Sequence, residues 1–396
     1  MTRPSSLVLD GNEVKLRLQA ERNTTGSAVH VDWLRFTINL RYAPTPSIDD
    51  LFPQKIAFAD DEFNRAKLYK ILRELPDSDF AASAQAKTLA EQVCDSLGVG
   101  FTVYPELRKG HDFYRFRWSI VRNDAEVGWV GFLSSGDSPR QAAQSKTIHC
   151  NLYGAACTFA RPGWSKAVAN LIDQSCATIT RCDLALDFFQ GFTGGMERVK
   201  TDYEAGSMNV NGRQPKCNLL GDWCNHKSRS FYFGSKEAGK QTNVYEKGHQ
   251  LFGEKDPTQW LRVELRYGNK LRVLPSDILR RPADFFAGAS DWHSLMLLEA
   301  DAIAEPEKVT VTTKRAMETI RAEVVRNVRW LRETAAPSVA AAFQFLGSEF
   351  LEIVSHQKVP GRLQRFSTEE IRDAYKAAFS HVSSGISTGP AAYAFT

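Results

Sequence analysis

The sequence predicts an α+β fold: a central, mostly antiparallel sheet, a helical insertion after its first strand, and a helical C-terminal region. Three observations predict it. β-Branched and aromatic residues alternate with polar ones through the middle of the chain, turn-forming residues separate these runs, and beyond about Pro282 the apolar spacing changes from two to three and four. The first strand is expected over Val31–Leu40. Acidic Asp49, Asp50, Asp60 and Asp61 flank the next part, where Phe63, Ala66, Leu68, Ile71 and Leu72 have helical spacing within Asp61–Leu75, and Ala84–Leu97 reads as a second helix stopped by Gly98. Further strands are expected at Phe113–Val121, Glu126–Leu133, Thr147–Thr158, Ile179–Phe189, Arg229–Gly234, Thr242–Lys247 and Trp260–Tyr267. Arg122-Asn123-Asp124-Ala125 suits a hairpin connection, and Pro162–Asp173 has helical character.

In the C-terminal region Met317, Ile320, Val324, Val328 and Leu331 form a helical stripe, and Ser367-Thr368-Glu369-Glu370 has the capping-box form. The final SSGISTGPAAYAFT is small and turn-prone. The expected organisation is an N-terminal segment over 1–28, a main domain over 29–281 with its helical insertion at about 44–98, a helical region over 282–382 and a loose tail over 383–396.

The chain has 396 residues and a net charge of +4, too small to identify a partner. Its distribution is uneven: Lys227–Arg281 holds twelve Lys and Arg against six Asp and Glu, a local +6, which leaves −2 for the rest. A basic segment with interleaved aromatics suits a phosphate backbone and unpaired bases, or else an ordinary solvated sheet face. No apolar run reaches the roughly 18 residues of a membrane span, and the N-terminus places charges where a signal peptide needs apolar residues. Seven cysteines without a C-x-x-C pair read as reduced thiols, so a cytoplasmic protein is expected.

ITRCDLALDFF (Ile179–Phe189) puts Arg181, Asp183, Ala185 and Asp187 on one strand face and Cys182, Leu184 and Leu186 on the other. Two carboxylates on such a strand point to a hard divalent cation; the alternative is that Asp183 pairs with Arg181 or Arg266 and Asp187 ends the strand. WLRVELRYG (Trp260–Gly268) repeats the arrangement with Arg262, Glu264 and Arg266, making Glu264 either a third carboxylate or a rung of an ion-pair ladder. Between them, Asn243, Tyr245 and Lys247 share a face, and a phenol beside an ammonium can attack phosphorus; the alternative for Tyr245 is aromatic packing. On Phe113–Val121, aromatic Tyr114, Phe116 and Trp118 alternate with Arg115 and Arg117, so the cationic face could hold DNA or merely be solvated. There is no phosphate-loop motif, H-E-x-x-H, G-x-S-x-G or His-x-His, and neither Cys217, Cys224 and His226 nor Cys150 and Cys157 have a usual zinc spacing.

These residues resemble the replication initiation factor family of rolling-circle plasmids, filamentous phages and integrative elements, most nearly its branch in filamentous phages of the cholera-toxin-phage type. The resemblance is carried by VDWLRFTI, NLYGAAC, GWSKAVANLI, ITRCDLALDFF, the spacer Tyr203–Lys216 with NGRQPK, RSFYFGSKEAGKQTNVYEKGHQ, WLRVELRYGNK and VLPSDILRRPADFFAG, over about Val31 to Gly288. It implies a sheet related to rolling-circle nicking enzymes without their usual histidine metal motif. It further implies Tyr245 as the nicking nucleophile, helped by Lys247 and Arg266, and Mg²⁺ or Mn²⁺ at Asp183 and Glu264 with Asp187 as an addition. Asp32 also matches, with a structural role expected. Asn243 departs from the pattern, which usually has an arginine there.

The function this implies is a nicking and rejoining enzyme acting through a 5′-phosphotyrosine. Its DNA contacts are assigned to Arg115, Arg117, Arg181, Lys236, Lys240 and Arg262. Its partners would be origin DNA, supercoiled or single-stranded, with host helicase and polymerase, no membrane, and a homodimer allowed. A relaxase of a mobile element would share the chemistry, and a non-catalytic DNA-binding regulator is the alternative of another class.

Overall fold

The structure is a computed structural model describing residues 10–45, 78–300 apart from 211, and, near the C-terminus, 320, 324, 328, 335–347, 349–350, 363–364 and 366–383. The helix expected within Asp61–Leu75 and the tail from 384 lie outside these residues. The chain divides into two compact units, Met1–Val311 and Thr312–Thr396.

Eleven strands of the first unit form one sheet: β1 Val29–Asn39, β2 Thr102–Val103, β3 Arg108–Lys109, β4 Tyr114–Arg122, β5 Ala125–Ser134, β6 Thr147–Leu152, β7 Thr178–Phe188, β8 Cys217–Asp222, β9 Lys227–Ser235, β10 Lys240–Glu246 and β11 Leu261–Gly268. Their order is β2-β4-β5-β6-β1-β7-β11-β10-β9-β8, with β3 beside β4, and these ladders are antiparallel. The N-terminal strand β1 is therefore central, between β6 and β7. The β4–β5 hairpin turns through Asn123 and Asp124, both with positive φ, the two-residue primed turn that suits the right-handed twist of the strands it joins.

Strand periodicity gives the sheet two unlike faces. Leu34, Phe36 and Ile38 of β1 lie on one, with Leu184 and Leu186 of β7, Val263 and Leu265 of β11, and Val244 of β10, all buried in one core cluster. The opposite face carries Arg181, Asp183, Asp187, Arg262, Glu264, Arg266 and Tyr245. Nine helices of this unit are described: α1 Gly11–Thr25, α2 Ser78–Leu97, α3 Pro139–Gln144, α4 Gly154–Phe159, α5 Trp164–Gln174, α6 Gly195–Glu204, α7 Lys247–Phe252, α8 Pro282–Ala287 and α9 Asp291–Ala300. Helix α2 packs on β4 and β5, α8 on β1 and α9 on β7, so the helices from Pro282 to Ala300 stay with the sheet.

Two expected strands end early. Thr147–Thr158 is a strand only to Leu152, after which Gly154–Phe159 is a buried helix; a short apolar run does not itself distinguish the two. Thr242–Lys247 stops at Glu246, and Lys247 opens α7. Helix α1 gave little periodic signal because it buries only Gly11, Val14 and Leu18, and β8 gave none because it is exposed along its whole length.

In the second unit Ile320 and Val324 of the expected stripe are buried with Leu363 and Ala374, and Val328 packs against them; Met317 and Leu331 lie outside the described residues. The capping box is formed: Ser367 N donates to Glu370 Oε2 at 2.9 Å and Glu370 N to Ser367 Oγ at 3.2 Å. Among the described residues no helix is long and apolar enough to cross a membrane.

Phe36 is fully buried on the central strand. Phe36→Ala should lower the unfolding free energy by about 3–5 kcal/mol in urea titration, through lost burial and the cavity left behind.

Candidate active site

The register of three strands assembles the polar face. Between β7 and β11, Asp183 lies opposite Arg266, Ala185 opposite Glu264, and Asp187 opposite Arg262. Between β11 and β10, Arg262 faces Tyr245 and Glu264 faces Asn243. Asp183 and Asp187 thus each have an arginine directly across the β7–β11 pair, whereas Glu264 stands between small Ala185 and Asn243.

At the deep end, Arg262 is only 1% exposed. Its Nε donates to Asp187 Oδ1 at 2.8 Å, its Nη2 to Asp187 Oδ2 at 2.9 Å and its Nη1 to Asp32 Oδ1 at 2.7 Å, while Trp260 Nε1 donates to Asp187 Oδ1 at 2.7 Å. Burial works against the charge on Arg262, but Asp187 and Asp32 hold it well above the ordinary guanidinium range. His30 Nε2 lies 3.7 Å from Asp187, and burial lowers this imidazole to about 4, so it is neutral near pH 7. Further along the strands, Asp183, itself fully buried, is paired with the partly exposed Arg181 and, at 3.3 Å, with Arg266. The pairing alternative read from the sequence is therefore the geometry of Asp183, and Asp187 is clamped rather than idle at a strand end.

Beside this network lies a cavity of about 280 Å³ whose walls include Asp32, Arg181, Tyr245, Lys247, Glu264 and Arg266. Tyr245 Oη donates to Glu264 Oε2 at 3.3 Å. Burial pushes the phenol well above its ordinary range, and the charges of Glu264, Asp32 and Asp187 add to this. Glu264 is raised to about 7, first by burial and then by Asp32 and Asp183. Lys247 is lowered to about 8, first by burial and then by Arg262; its Nζ donates to Gln250 Oε1 at 2.9 Å and lies 5.8 Å from the Tyr245 ring centre. At Gly248, a Cβ would lie 1.7 Å from Asp256 Oδ2, so a larger residue next to Lys247 would have to displace the Asp256 carboxylate from Thr258.

Asp183, Glu264 and Asp187 do not form the expected cation site as a set. Among the described residues no three His, Cys, Asp or Glu side chains gather where a metal could be held. Arginines engage all four carboxylates, Asp183 through Arg181, Asp187 and Asp32 through Arg262, and Glu264 at 3.7 Å from Arg266; of the four, Glu264 and Asp32 line the cavity. Their mutual repulsion, visible in the raised Glu264, is the condition a cation relieves. Mg²⁺ is commonly held by one or two carboxylates together with phosphate, so this pair fits the group. Asp32 was assigned a structural role from the sequence; its place on the cavity wall comes from β1 lying beside β7, which no local pattern reveals.

The expected DNA contacts separate. Arg262 is buried in the ion-pair network, and half-buried Lys240 donates from Nζ to Ala289 O at 2.6 Å, with burial lowering it to about 8, so both are engaged within the protein. Arg117 is held by Glu126 at 3.0 Å. Arg115 and Lys236 are exposed, and Arg181 and Arg266 line the cavity. Asn243, in place of the arginine that the resemblance led one to expect, has a buried Oδ1 without a hydrogen-bond partner among the described residues.

Removing one member of a buried charge network strands the others. Arg262→Met should cost about 3–5 kcal/mol in urea unfolding, and adding Asp187→Leu should recover part of that loss.

No curated protein matches the chain. The solved structure of the rolling circle replication initiator protein from Geobacillus stearothermophilus matches with 18% identity and a TM-score of 0.38, covering 66% of this chain and 83% of that one. The segment from Ala177 through β7, β10 and β11, which holds Asp183, Asp187, Tyr245, Lys247, Glu264 and Arg266, lies inside a family match: over residues 177–356 the chain matches the replication initiation factor family, the one its motifs resemble.

Proposed function

We propose that the protein initiates rolling-circle replication by nicking and rejoining origin DNA through Tyr245. The observation that carries this reading is the Tyr245 hydroxyl, hydrogen-bonded to Glu264 at 3.3 Å on a cavity walled by Arg181, Lys247 and Arg266. A buried phenol beside a carboxylate titrating near 7, facing three cations, is suited to attack on a phosphodiester.

Tyr245 Oη attacks phosphorus as its proton passes to Glu264. The P–O3′ bond breaks, the 5′ phosphate stays on Tyr245, and the departing O3′ takes a proton to become the 3′ hydroxyl that a host polymerase extends. Arg266 and Arg181 balance the charge on the phosphate oxygens, and Lys247, protonated below about 8, supplies a further cation at the developing charge. Mg²⁺ or Mn²⁺ would be held by Glu264 and Asp32 and would polarise the phosphate. The phosphotyrosine conserves the bond energy, so attack by a 3′ hydroxyl reseals the strand without ATP. A host helicase would open the duplex ahead of the polymerase. A relaxase would perform the same steps on a transfer origin.

The test is incubation of the full chain with supercoiled DNA carrying its element's origin, with Mg²⁺ or with EDTA, followed by denaturing electrophoresis. A nick with protein attached to the 5′ end is expected, and Tyr245→Phe should abolish it while origin binding is retained. Tight origin binding without a nick under any metal would favour a regulator.

The pH profile gives a second test. Glu264 accepts a proton only when ionised, and a cation held beside it would lower its value from about 7, so the acid limb of the nicking rate should move to lower pH as Mg²⁺ is raised; Lys247 helps only while protonated, so the rate should fall above about 8. Glu264→Gln should reduce the rate by roughly 10²–10⁴-fold and remove the acid limb. An unchanged limb would assign it to another group.

A further inference from the structure

On the same sheet face, a second and larger cavity of about 810 Å³ adjoins the first through Arg181 and Arg266, which line both. Its volume falls in the range of small-molecule sites, about 300–1,000 Å³. Arg35 and exposed Lys236 add positive charge, and the acidic residue on its wall, Asp112, is paired with Arg35 at 3.0 Å.

Two further features go beyond charge. Phe113, on the wall, is 70% exposed. It follows Asp112 in a tight turn closed by Tyr114 N donating to His111 O at 2.9 Å, and has φ +70, a conformation costly for a bulky residue and natural for glycine. His149, also on the wall, is 7% exposed. It stacks on Tyr114 with ring centres 5.7 Å apart and 13° between planes, and its Nδ1 shares a hydrogen bond with Thr37 Oγ1 at 2.9 Å. Its Nε2 is buried and without a hydrogen-bond partner among the described residues. Burial lowers the ring to about 3, so it is a neutral polar group rather than another cation for phosphate.

We propose that this cavity takes one unpaired nucleotide of the strand at the nicking site, its base stacked on Phe113, its phosphate on Arg181, Arg266 and Lys236. The inference deepens the nicking reading and rests on it for the path of the strand. An exposed aromatic supplies a face for a base, the guanidiniums shared with the Tyr245 cavity supply a continuous track for the backbone, and the neutral His149 ring keeps this end of the cavity from being a purely cationic phosphate site.

The experiment uses the full chain and fluorescence anisotropy with three probes of equal length: a thymidine homopolymer single strand, the same backbone with abasic sites, and a duplex. Backbone charge is nearly equal in the two single strands, so their difference reads the base. The thymidine strand should bind about tenfold more tightly than the abasic one, as expected for stacking of one base, and more tightly than the duplex. Phe113→Gly should erase the preference for bases without lowering the thermal midpoint, because glycine suits φ +70. Phe113→Trp should keep it.

Equal binding of thymidine and abasic strands by the unaltered chain would overturn the proposal, as would a preference that survives Phe113→Gly. Competition by free thymidine monophosphate as effective as that by the strand would assign the pocket to a free nucleotide and overturn it too. The nicking assay is read separately. Nicking without base preference defeats the pocket alone; base preference without nicking defeats the nicking reading alone.

Discussion

A guanidinium with two carboxylates on it, buried in the middle of a sheet, ties three strands together at one point. Arg262 belongs to β11, Asp187 to β7 and Asp32 to β1. Because strand side chains alternate faces, a slip of one residue would drive these charges into the apolar layer formed by Leu184, Leu186, Val263 and Leu265. Each charge is costly to bury alone, so the network penalises every register but one. The remaining polar face follows from that register: Tyr245 comes to lie across from Arg262, and Glu264 falls one step along, next to the phenol.

Burial then shapes the chemistry of that neighbourhood. A carboxylate and an ammonium exposed to water would titrate about six pH units apart. Here Glu264 rises to about 7 and Lys247 falls to about 8, each chiefly because desolvation disfavours its charged form. The pair is brought near neutrality by the same low-polarity surroundings that push Tyr245 up, so a phenol that resists ionisation has beside it a carboxylate more basic than one in water.

Much of this was legible in the sequence where the signal is local. ITRCDLALDFF and WLRVELRYG state their own faces through period-two alternation, and their charged residues do share one face. The hairpin at Asn123-Asp124, the stop at Gly98 and the capping box at Ser367 are equally local. What stayed hidden depends on partners distant in the chain. Whether Asp183 meets a cation or an arginine is decided by the β7–β11 register, and the position of Asp32 beside Glu264 by β1 sitting at the centre of the sheet. Lys240 and Arg262 read as surface cations because nothing near them in sequence announces the carbonyl or the carboxylates that engage them. Helix α4 was hidden for another reason: its apolar run continues that of β6 without a break in pattern.

The central place of an N-terminal strand has a consequence for synthesis. β1 leaves the ribosome early, but its neighbours β6 and β7 begin at Thr147 and Thr178, so its two edges stay open while more than a hundred residues are added. Asp32 and Arg262 are 230 positions apart, and the network between them closes after nearly all of the sheet has been made. At about 5–20 residues per second, that interval is on the order of ten seconds or more, long compared with the collapse of a chain of this size. The nascent protein must hold an apolar strand without its native neighbours through that wait, and the polar face with the candidate site can exist only in a chain whose translation has passed β11.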